Sequence, residues 1–539
     1  MRRLLHNPRF WIGAVLGVAC LIIYAVTMAP DIGANDVAEW QATGATLGIA
    51  HAPGSPAYTI LSWLLTLAPF SLPAARVTFL SVVMGAAGVV AVYAFMVLLL
   101  NRVLPAIVSA ATLALAGMWW SHATVATPYN AVLTIMAVLL VLLLLWSRSG
   151  NIRFLWGAAL LAGFGLAYHP LVMFFLPVPI AGVFFLGRWK QLLRLKPVLI
   201  LTLLFMTGLS FYLYLPIRGA TGPAIQYQKI NSLSKMISFV SASHAHNTRL
   251  QQSFLPNLAD VQGRLDEVVY SSYNPSFLIL IFAPSLALFL PGVWRRLRFV
   301  WRWLVFLAAG MIVQMFLIFV LTDIYAHYYL PLLFYFAVWA GLSAYLVKIA
   351  LDKLAESDPE LRQLALIVAG IFYFGFFGLL VAGTPHTWAF ANHRNDRDMR
   401  DYVNFVFSRA KPGAVVMGDW ETYTGLVYAQ KVEGQRPDII LLSVSQQGRK
   451  AMIPNIESQY PAAQILLSEV FNIYSAKDVS TYGWQRPLTN KALTYQDFNH
   501  GKPYPLAAQL LRLVDSIAPF SGSCYKARSG TLRRPALTF

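Results

Sequence analysis

Long apolar runs recur along this chain, and they constrain its fold more than any other feature. Runs such as 11–28, 77–100 and 364–381 are each long enough to cross about 30 Å of hydrocarbon as helices. Of the 539 residues, 58% are hydrophobic and 12% are charged, and that charged fraction is about half of what a soluble domain carries. The sequence therefore predicts an α-helical polytopic membrane protein.

The apolar runs predict about eleven transmembrane helices by the length criterion. Basic residues gather in the short segments between them, as orientation signals do. With a cytoplasmic N-terminus every basic cluster falls inside, so we expect a multi-pass protein of the cell (inner) membrane. The expected spans are 10–29, 76–100, 104–120, 129–146, 154–168, 171–187, 197–216, 275–293, 303–321, 329–350 and 363–383.

The net charge of +18 does not indicate a nucleic-acid partner, because the basic residues serve the topology and form no stripe in a polar segment. The two cysteines, Cys20 and Cys524, support neither a disulfide framework nor a cysteine-ligated metal site. The first apolar run exceeds the 7–15 residues or so of a signal peptide, so we interpret it as an uncleaved anchor.

The same topology divides the chain into two domains. Residues 1–384 are expected to form the transmembrane domain, with outer loops at 30–75 and 217–274. Residues 385–539 are expected to form an extracytoplasmic, periplasmic α/β domain, with strands at 414–418 and 438–444 around a helix at 421–430. The apolar segment 56–72 is short and contains two prolines, with a third directly after it at Pro73, which favours an interfacial or re-entrant element over a full span.

Two carboxylates, Asp36 and Glu39, lie where the first membrane helix should meet water. One interpretation is local: Asp-x-x-Glu before a helix is typical of a capping box, with Asp36 as N-cap and Glu39 three residues later. The other is catalytic, since a carboxylate on a short helix at the membrane face is well placed to act as a general base. The two interpretations are compatible.

Three further groups follow on the predicted outer side. His51 opens the segment His-Ala-Pro-Gly-Ser-Pro, whose prolines and glycine demand a stiff, irregular turn and by themselves would only end a helix. His169 precedes a proline at the end of an apolar run, which is also typical of a hydrogen-bonded core histidine. Arg218 is either an interface anchor or a bidentate clamp on phosphate.

The segment 322–331 concentrates polar and aromatic groups between two spans. Aromatic belts at the interface account for tyrosines such as Tyr325. They do not account for Asp323 and His327, which are therefore candidates for function. Asp419, which precedes the predicted outer helix, is better interpreted as a cap than as a catalyst. The sequence contains no phosphate loop, dinucleotide fingerprint, zinc-protease motif or nucleophile elbow.

The pattern Asp36-x-x-Glu39 followed by His51-x-Pro-Gly-x-Pro resembles the start of a family in the C-type (GT-C) glycosyltransferase superfamily. This family, family 117, includes animal transmembrane protein O-mannosyltransferases and their bacterial relatives. His169, the Tyr-Leu-Pro-x-Arg ending at Arg218 and the 323–331 loop extend the resemblance. Ala52 and Ser55 depart from the family's proline and tyrosine, and Ala-Ile-Gln-Tyr-Gln at 224–228 replaces an Asn-Trp-Gly-like stretch.

The resemblance implies transfer of a sugar from a polyprenyl-phosphate donor, within the bilayer, to an exported protein by inverting displacement on the outer face. Asp36 would act as base and Glu39 would support it. Donor phosphate and substrate would be bound by a set drawn from His51, His169, Arg218, Asp323, Tyr325 and His327. Metal dependence stays open: Asp36, Glu39 and Asp323 could bind a divalent cation, and no spacing in the sequence requires one.

Two alternatives remain open from the sequence. The chain could be a non-catalytic transporter of lipid-linked glycans or an assembly factor with a receptor-like outer domain. It could also be the same class of enzyme acting on a lipid or glycan acceptor.

Overall fold

The structure is a computed structural model that describes residues 7–186, 189–230, 232–240, 258–273, 275–289, 293, 297–321, 326–357, 359–443, 459–460 and 463–468. Helices dominate these ranges. The α-helices are α1 Pro8–Thr27, α2 Asp36–Thr46, α3 Pro56–Thr66, α4 Pro73–Leu100, α5 Val103–Ala114, α6 Gly117–Ala123, α7 Tyr129–Ser149, α8 Arg153–Tyr168, α9 Val172–Phe175, α10 Pro177–Phe185, α11 Leu195–Leu209, α12 Tyr214–Ala220, α13 Leu233–Val240, α14 Leu258–Ser272, α15 Pro275–Phe282, α16 Arg298–Leu321, α17 Pro331–Ser357, α18 Pro359–Ala391, α19 Asp398–Arg409 and α20 Trp420–Lys431. Short 3₁₀ helices lie at Trp189–Leu193, Ser210–Leu213, Ala283–Phe289 and Ala326–Tyr329.

The membrane helices confirm the predicted helical, multi-pass fold class. Within the described part of the chain, seven helices are long and apolar enough to cross a membrane, or eight if the bent pair α5 and α6 is one span. Shorter apolar helices lie at Arg153–Tyr168, Val172–Phe185 and Ser276–Leu286. Each of the eleven predicted segments thus contains a helix, although fewer than eleven pass the test of length and composition.

Helix α4 lies in the middle of the membrane part and packs against α1, α5 and α7. Close approach is possible because Gly88 lacks a side chain: a Cβ there would lie 2.6 Å from the buried ring of Trp119. Helices α11 and α18 instead expose apolar side chains such as Leu203 and Phe374. Hydrocarbon chains of a bilayer would cover such surfaces.

The segment 30–75, called the first outer loop after its predicted side of the membrane, contains α2 and α3, which pack against each other and against α4. Helix α3 begins at Pro56, where a proline costs no helical hydrogen bond. Its 11 residues extend about 16 Å, half of the hydrocarbon thickness. That segment 56–72 does not cross the membrane stays a prediction.

The described residues after α18 contain the α/β elements that the sequence predicts. Strands β1 Val415–Gly418, β2 Ile440–Ser443 and β3 Ile465–Ser468 form a parallel sheet in the order β2-β1-β3. Helices α19 and α20 pack against each other, and α20 also packs against β1 and β2. The predicted strands at 414–418 and 438–444 correspond to β1 and β2. Helix α18 continues past the predicted domain boundary at 384.

Candidate active site

Helix α2 begins at Asp36 and brings Glu39 to the same end of the helix. The residue before the helix is Asn35, in the left-handed region with φ of 57°, so the predicted capping box is wrong. The physical reason is that both carboxylates have other partners. Asp36 Oδ1 accepts a hydrogen bond of 2.7 Å from the indole Nε1 of Trp420, and Glu39 turns inward to His51.

Glu39 is fully buried and holds His51 through both of its oxygens. Oε1 accepts from the backbone nitrogen of His51 at 2.5 Å, and Oε2 contacts His51 Nδ1. The His51 side chain keeps 38% of its surface exposed, whereas that of Glu39 keeps none. Because Nδ1 is bound to Glu39, Nε2 is the ring atom that can face a substrate.

The turn after His51 depends on unusual backbone geometry. Gly54 has φ of 84° and Ser55 has φ of 34°, a region that side chains disfavour. The nitrogen of Gly54 donates to the carbonyl of His51 at 2.8 Å. A Cβ on Gly54 would lie 2.7 Å from the ring of Phe239. The turn predicted from the sequence is thus present, and it fixes the direction of the His51 side chain.

The electrostatics of the site favour a charged histidine. Burial lowers the pKa of His51, but the carboxylates of Glu39 and Asp36 outweigh that effect and raise it to about 9. Burial also raises the pKa of Glu39, an effect that His51 partly offsets. His51 is partly exposed and lies beside two acids, so the His51–Glu39 pair consists of an imidazolium and a carboxylate. Burial and the charges of Asp419 and Asp36 raise the pKa of Glu421 to about 7.

Aromatic rings enclose His51 on several sides. Its ring lies 5.8 Å from Trp40 and 5.7 Å from Trp420, centroid to centroid. Trp420 also packs against Tyr227 at 5.1 Å. Sequence reasoning missed Trp420 and Tyr227. Trp420 is 384 residues from Asp36, and no local pattern connects two positions so far apart.

His169 and His327 come together around a third residue, Tyr129. The Tyr129 ring stacks on His327 at 4.2 Å and meets His169 at 5.3 Å. His169 is buried, and its Nδ1 accepts from the backbone nitrogen of Leu171. The ring of His122, which sequence reasoning also missed, lies 6.2 Å from that of His327.

Arg218 lies at the other end of α2 from Asp36. Its Nε donates to the carbonyl of Leu47 at 2.7 Å, and Nη2 donates to that of Thr46 at 3.2 Å. Helix α2 is 11 residues long, which separates the two ends by about 16 Å. A cation at a helix C-terminus is favourable for the helix dipole. The structure therefore does not bring Arg218 together with the two carboxylates.

Two predicted site residues, Asp323 and Tyr325, lie outside the described residues. Asp419 is confirmed as a cap: it is the N-cap of α20, and its side chain accepts from the nitrogen of Thr422 at 3.1 Å.

Three side chains of the site have the composition of a metal centre. Asp36, Glu39 and His51 each offer one ligand atom, and these atoms lie within 4.8 Å of one another. One imidazole and two carboxylates are ligands that Zn²⁺ accepts. Both oxygens of Glu39 contact His51, so an ion bound here would replace part of that pair.

The fold and the site together define a class of protein: a multi-pass helical membrane protein whose acidic site lies in the segment between α1 and α4, against a small α/β part. Comparison with known proteins makes this class more specific. Residues 36–193, which include the carboxylates and the histidine turn, match the family described as the Protein O-mannosyl-transferase TMEM260 N-terminal domain.

A curated protein is similar to part of this chain. The Protein O-mannosyl-transferase tmem260 of Dictyostelium discoideum is 26% identical over 218 residues. That match covers 37% of this chain and 26% of the relative, so the chain spans about a quarter of the relative's length. These matches confirm the resemblance to the O-mannosyltransferase-like glycosyltransferases that the Asp36–Pro56 motif predicts.

Solved structures with a similar course of the chain include ArnT from Cupriavidus metallidurans. Its crystal structure bound to undecaprenyl phosphate aligns over 84% of this chain and 94% of that chain, at 13% identity and a TM-score of 0.46. Its apo structure aligns over 80% of this chain and 89% of that chain, at 14% identity and a TM-score of 0.43.

Proposed function

We propose that this protein is an integral membrane glycosyltransferase, similar to protein O-mannosyltransferases. It moves a mannose-like sugar from a polyprenyl-phosphate donor to a Ser or Thr hydroxyl of an exported protein. The observation that carries the proposal is the Asp36 carboxylate, with Trp420 bound to Oδ1, beside the buried Glu39–His51 pair. The family match over 36–193 supports the class of enzyme.

The reaction is a direct, inverting displacement. Asp36 accepts the proton of the acceptor hydroxyl while its oxygen forms a bond to the anomeric carbon. The bond from that carbon to the phosphate oxygen breaks, and its electron pair leaves with the lipid phosphate. Glu39 does not take the proton in this scheme; it keeps His51 in place.

Negative charge grows on the leaving phosphate, so a fixed cation near it lowers the barrier. His51 is the cation best supported by the structure, because two acids raise its pKa to about 9. His169 and His327, which meet at Tyr129, are proposed to bind the donor alongside it. The contacts of Arg218 with Thr46 and Leu47 favour a role in holding the loop.

We place the reaction on the extracytoplasmic face of the cell membrane, with the N-terminus in the cytoplasm. The support is the distribution of basic residues: the clusters between predicted spans all fall on the side opposite the acidic loop. The α/β part then lies outside, where an exported acceptor approaches.

A divalent cation is the alternative source of positive charge. Asp36, Glu39 and a neutral His51 could hold it in place of the imidazolium, and it would supply positive charge for the leaving phosphate. Removing the cation with a chelator and restoring Mg²⁺, Mn²⁺ or Zn²⁺ in turn would test this: activity that survives chelation unchanged contradicts it.

The decisive experiment uses the full chain in detergent, polyprenyl-phosphate mannose and a Ser/Thr-rich peptide. We expect D36N to lose transfer by about 10²–10⁴-fold while its thermal unfolding midpoint stays near that of the wild type. D352N is the matched control, because Asp352 is half exposed in α17 and pairs with Lys348. Unchanged transfer by D36N would exclude Asp36 as the base.

The alternatives give different results in the same assay. A wild-type protein that binds the donor and transfers nothing to peptide, glycan or lipid would be a transporter or assembly factor. Transfer to a glycan or lipid but not to peptide would keep the enzyme class and change the acceptor.

A further inference from the structure

Helix α20 of the α/β part contacts the two residues at which α2 begins. Trp420 Nε1 donates to Asp36 Oδ1 at 2.7 Å. The hydroxyl of Thr424 donates to the carbonyl of Asn35 at 2.8 Å. Asn35 in turn donates to Glu421 twice, from its backbone nitrogen to the carbonyl and from Nδ2 to Oε1, both at 3.2 Å. Four hydrogen bonds thus join α20 to Asn35 and Asp36.

Three of these bonds hold a backbone conformation that Asn35 would not keep by itself. Its φ of 57° is uncommon for a residue with a side chain and persists where the surroundings impose it. Because Asn35 directly precedes Asp36, its conformation sets the direction in which α2 starts. The bonds from α20 therefore fix the backbone of the candidate base.

The fourth bond fixes the carboxylate itself. A side chain in the first turn of a helix is otherwise free to change its rotamer. The indole of Trp420 holds Oδ1, and this leaves Oδ2 as the atom that meets the acceptor. The indole has little freedom of its own, because Tyr227 and His51 pack against it at 5.1 and 5.7 Å.

A separate ion-pair cluster holds α20 against the first outer loop. Arg400 Nη2 donates to Asp31 at 2.7 Å and to Glu433 at 2.5 Å. Glu433 lies two residues after the end of α20. The position of the helix therefore does not depend on Trp420 alone, so removing the indole N–H leaves the helix in place.

We propose that Trp420 is a positioning residue for Asp36, so that the first outer loop and the α/β part form the active site jointly. The inference rests on the proposed function, since it assigns Trp420 a role in that reaction. It differs from a role in acceptor recognition, because the indole acts on the base and not on the substrate.

The test is the W420F variant of the full chain in the transfer assay. Phenylalanine keeps an aromatic ring and removes the N–H. We expect kcat to fall about tenfold, the value of one hydrogen bond to a charged group, and KM for donor and peptide to stay within twofold. The matched control is Y423F, which removes a polar group from the same helix and should leave kcat within twofold.

Repeating the W420F substitution in the D36E variant separates positioning of the carboxylate from general support of the fold. In D36E the carboxylate is displaced by one methylene and no longer meets the indole, so W420F should cost less than twofold there. An equal loss in both backgrounds would overturn the inference, as would a W420F enzyme with wild-type kcat. If W420F unfolds, T424V, which removes the bond to Asn35, should show the same loss in kcat alone; wild-type kcat in T424V would overturn the inference.

The two proposals fail in different ways. A wild-type protein without transfer activity refutes the proposed function. An active wild type whose kcat does not respond to W420F refutes only the role of Trp420.

Discussion

His51 makes the charge of the candidate site depend on pH. Its Nδ1 contacts a fully buried carboxylate, and its backbone nitrogen binds the same group. The pKa of about 9 keeps the ring positive at neutral pH. His51 thus compensates the buried charge of Glu39, and in the proposed reaction it would also present a cation to the anionic leaving group.

The stability of the protein should follow the titration of His51. Its folded-state pKa of about 9 lies above the unfolded value of about 6.5. The contribution of the pair is therefore complete below about pH 6.5 and is lost as the pH rises through about 9. We expect the difference in thermal unfolding midpoint between wild type and H51Q to be largest near pH 6 and smallest near pH 10.

E39Q serves as the partner variant, because it removes the charge that raises the pKa of His51. The difference in thermal unfolding midpoint between wild type and E39Q should become smaller as the pH rises from 6 to 10. A difference that stays constant from pH 6 to 10 in both variants would contradict the ion pair.

The sequence predicts the residues of this site only where they are close together in the chain. Asp36, Glu39 and His51 fall within one short segment, so their spacing reveals them, and the structure brings them into contact. Trp420 enters through tertiary packing, and the positive φ of Asn35 results from bonds to α20. The capping box was wrong because both carboxylates have other partners: Trp420, far along the chain, binds Asp36, and His51 binds Glu39.

At the scale of elements, the turn between α2 and α3 determines where His51 lies. Gly54 is the position at which two requirements coincide. Its φ of 84° disfavours a side chain, and the ring of Phe239 occupies the place of a Cβ. The turn thus joins the first outer loop to α13.

Comparing two glycine-to-alanine variants, one at Gly54 and one at Gly222, should separate these two effects. G54A combines left-handed strain with a clash, and we expect a loss of about 2–5 kcal/mol. Gly222 has φ of 61° with nothing within 4 Å of its Cβ position, so G222A should lose only about 1 kcal/mol. Thermal unfolding in detergent measures both. Equal losses would show that Phe239 yields without cost.

Elements were predictable where a single physical signal decides them. Long apolar runs predict the membrane helices, and short apolar runs around Val415 and Ile440 predict β1 and β2. The end of helix α2 at Thr46 was harder to predict. Leu47 has φ of 50°, and the carbonyls at this end bind Arg218, a contact that no local pattern reveals.

At the scale of the whole molecule, the Arg400 cluster joins the membrane part to the α/β part. The side chains of Asp31, Arg400 and Glu433 are 6%, 14% and 18% exposed. One guanidinium compensates two carboxylates that little water reaches. Removing it would leave both acids without a counter-charge.

R400M should therefore lower stability by about 3 kcal/mol, the low end for breaking a buried pair. K348M is the control, because the Lys348–Asp352 pair is 41% and 46% exposed and such a pair contributes less than about 1 kcal/mol. Thermal unfolding of both variants provides the comparison. Equal midpoints for R400M and wild type would show that water enters the cluster.

The contact between Asp36 and Trp420 also has a consequence for biosynthesis. The two residues are 384 positions apart, and a ribosome adds about 5–20 residues per second. Some 20–80 seconds therefore pass between the synthesis of the carboxylate and that of its indole partner. During that interval the nascent chain holds the acid without the group that orients it. A product truncated before α20 would enter the membrane without a completed site.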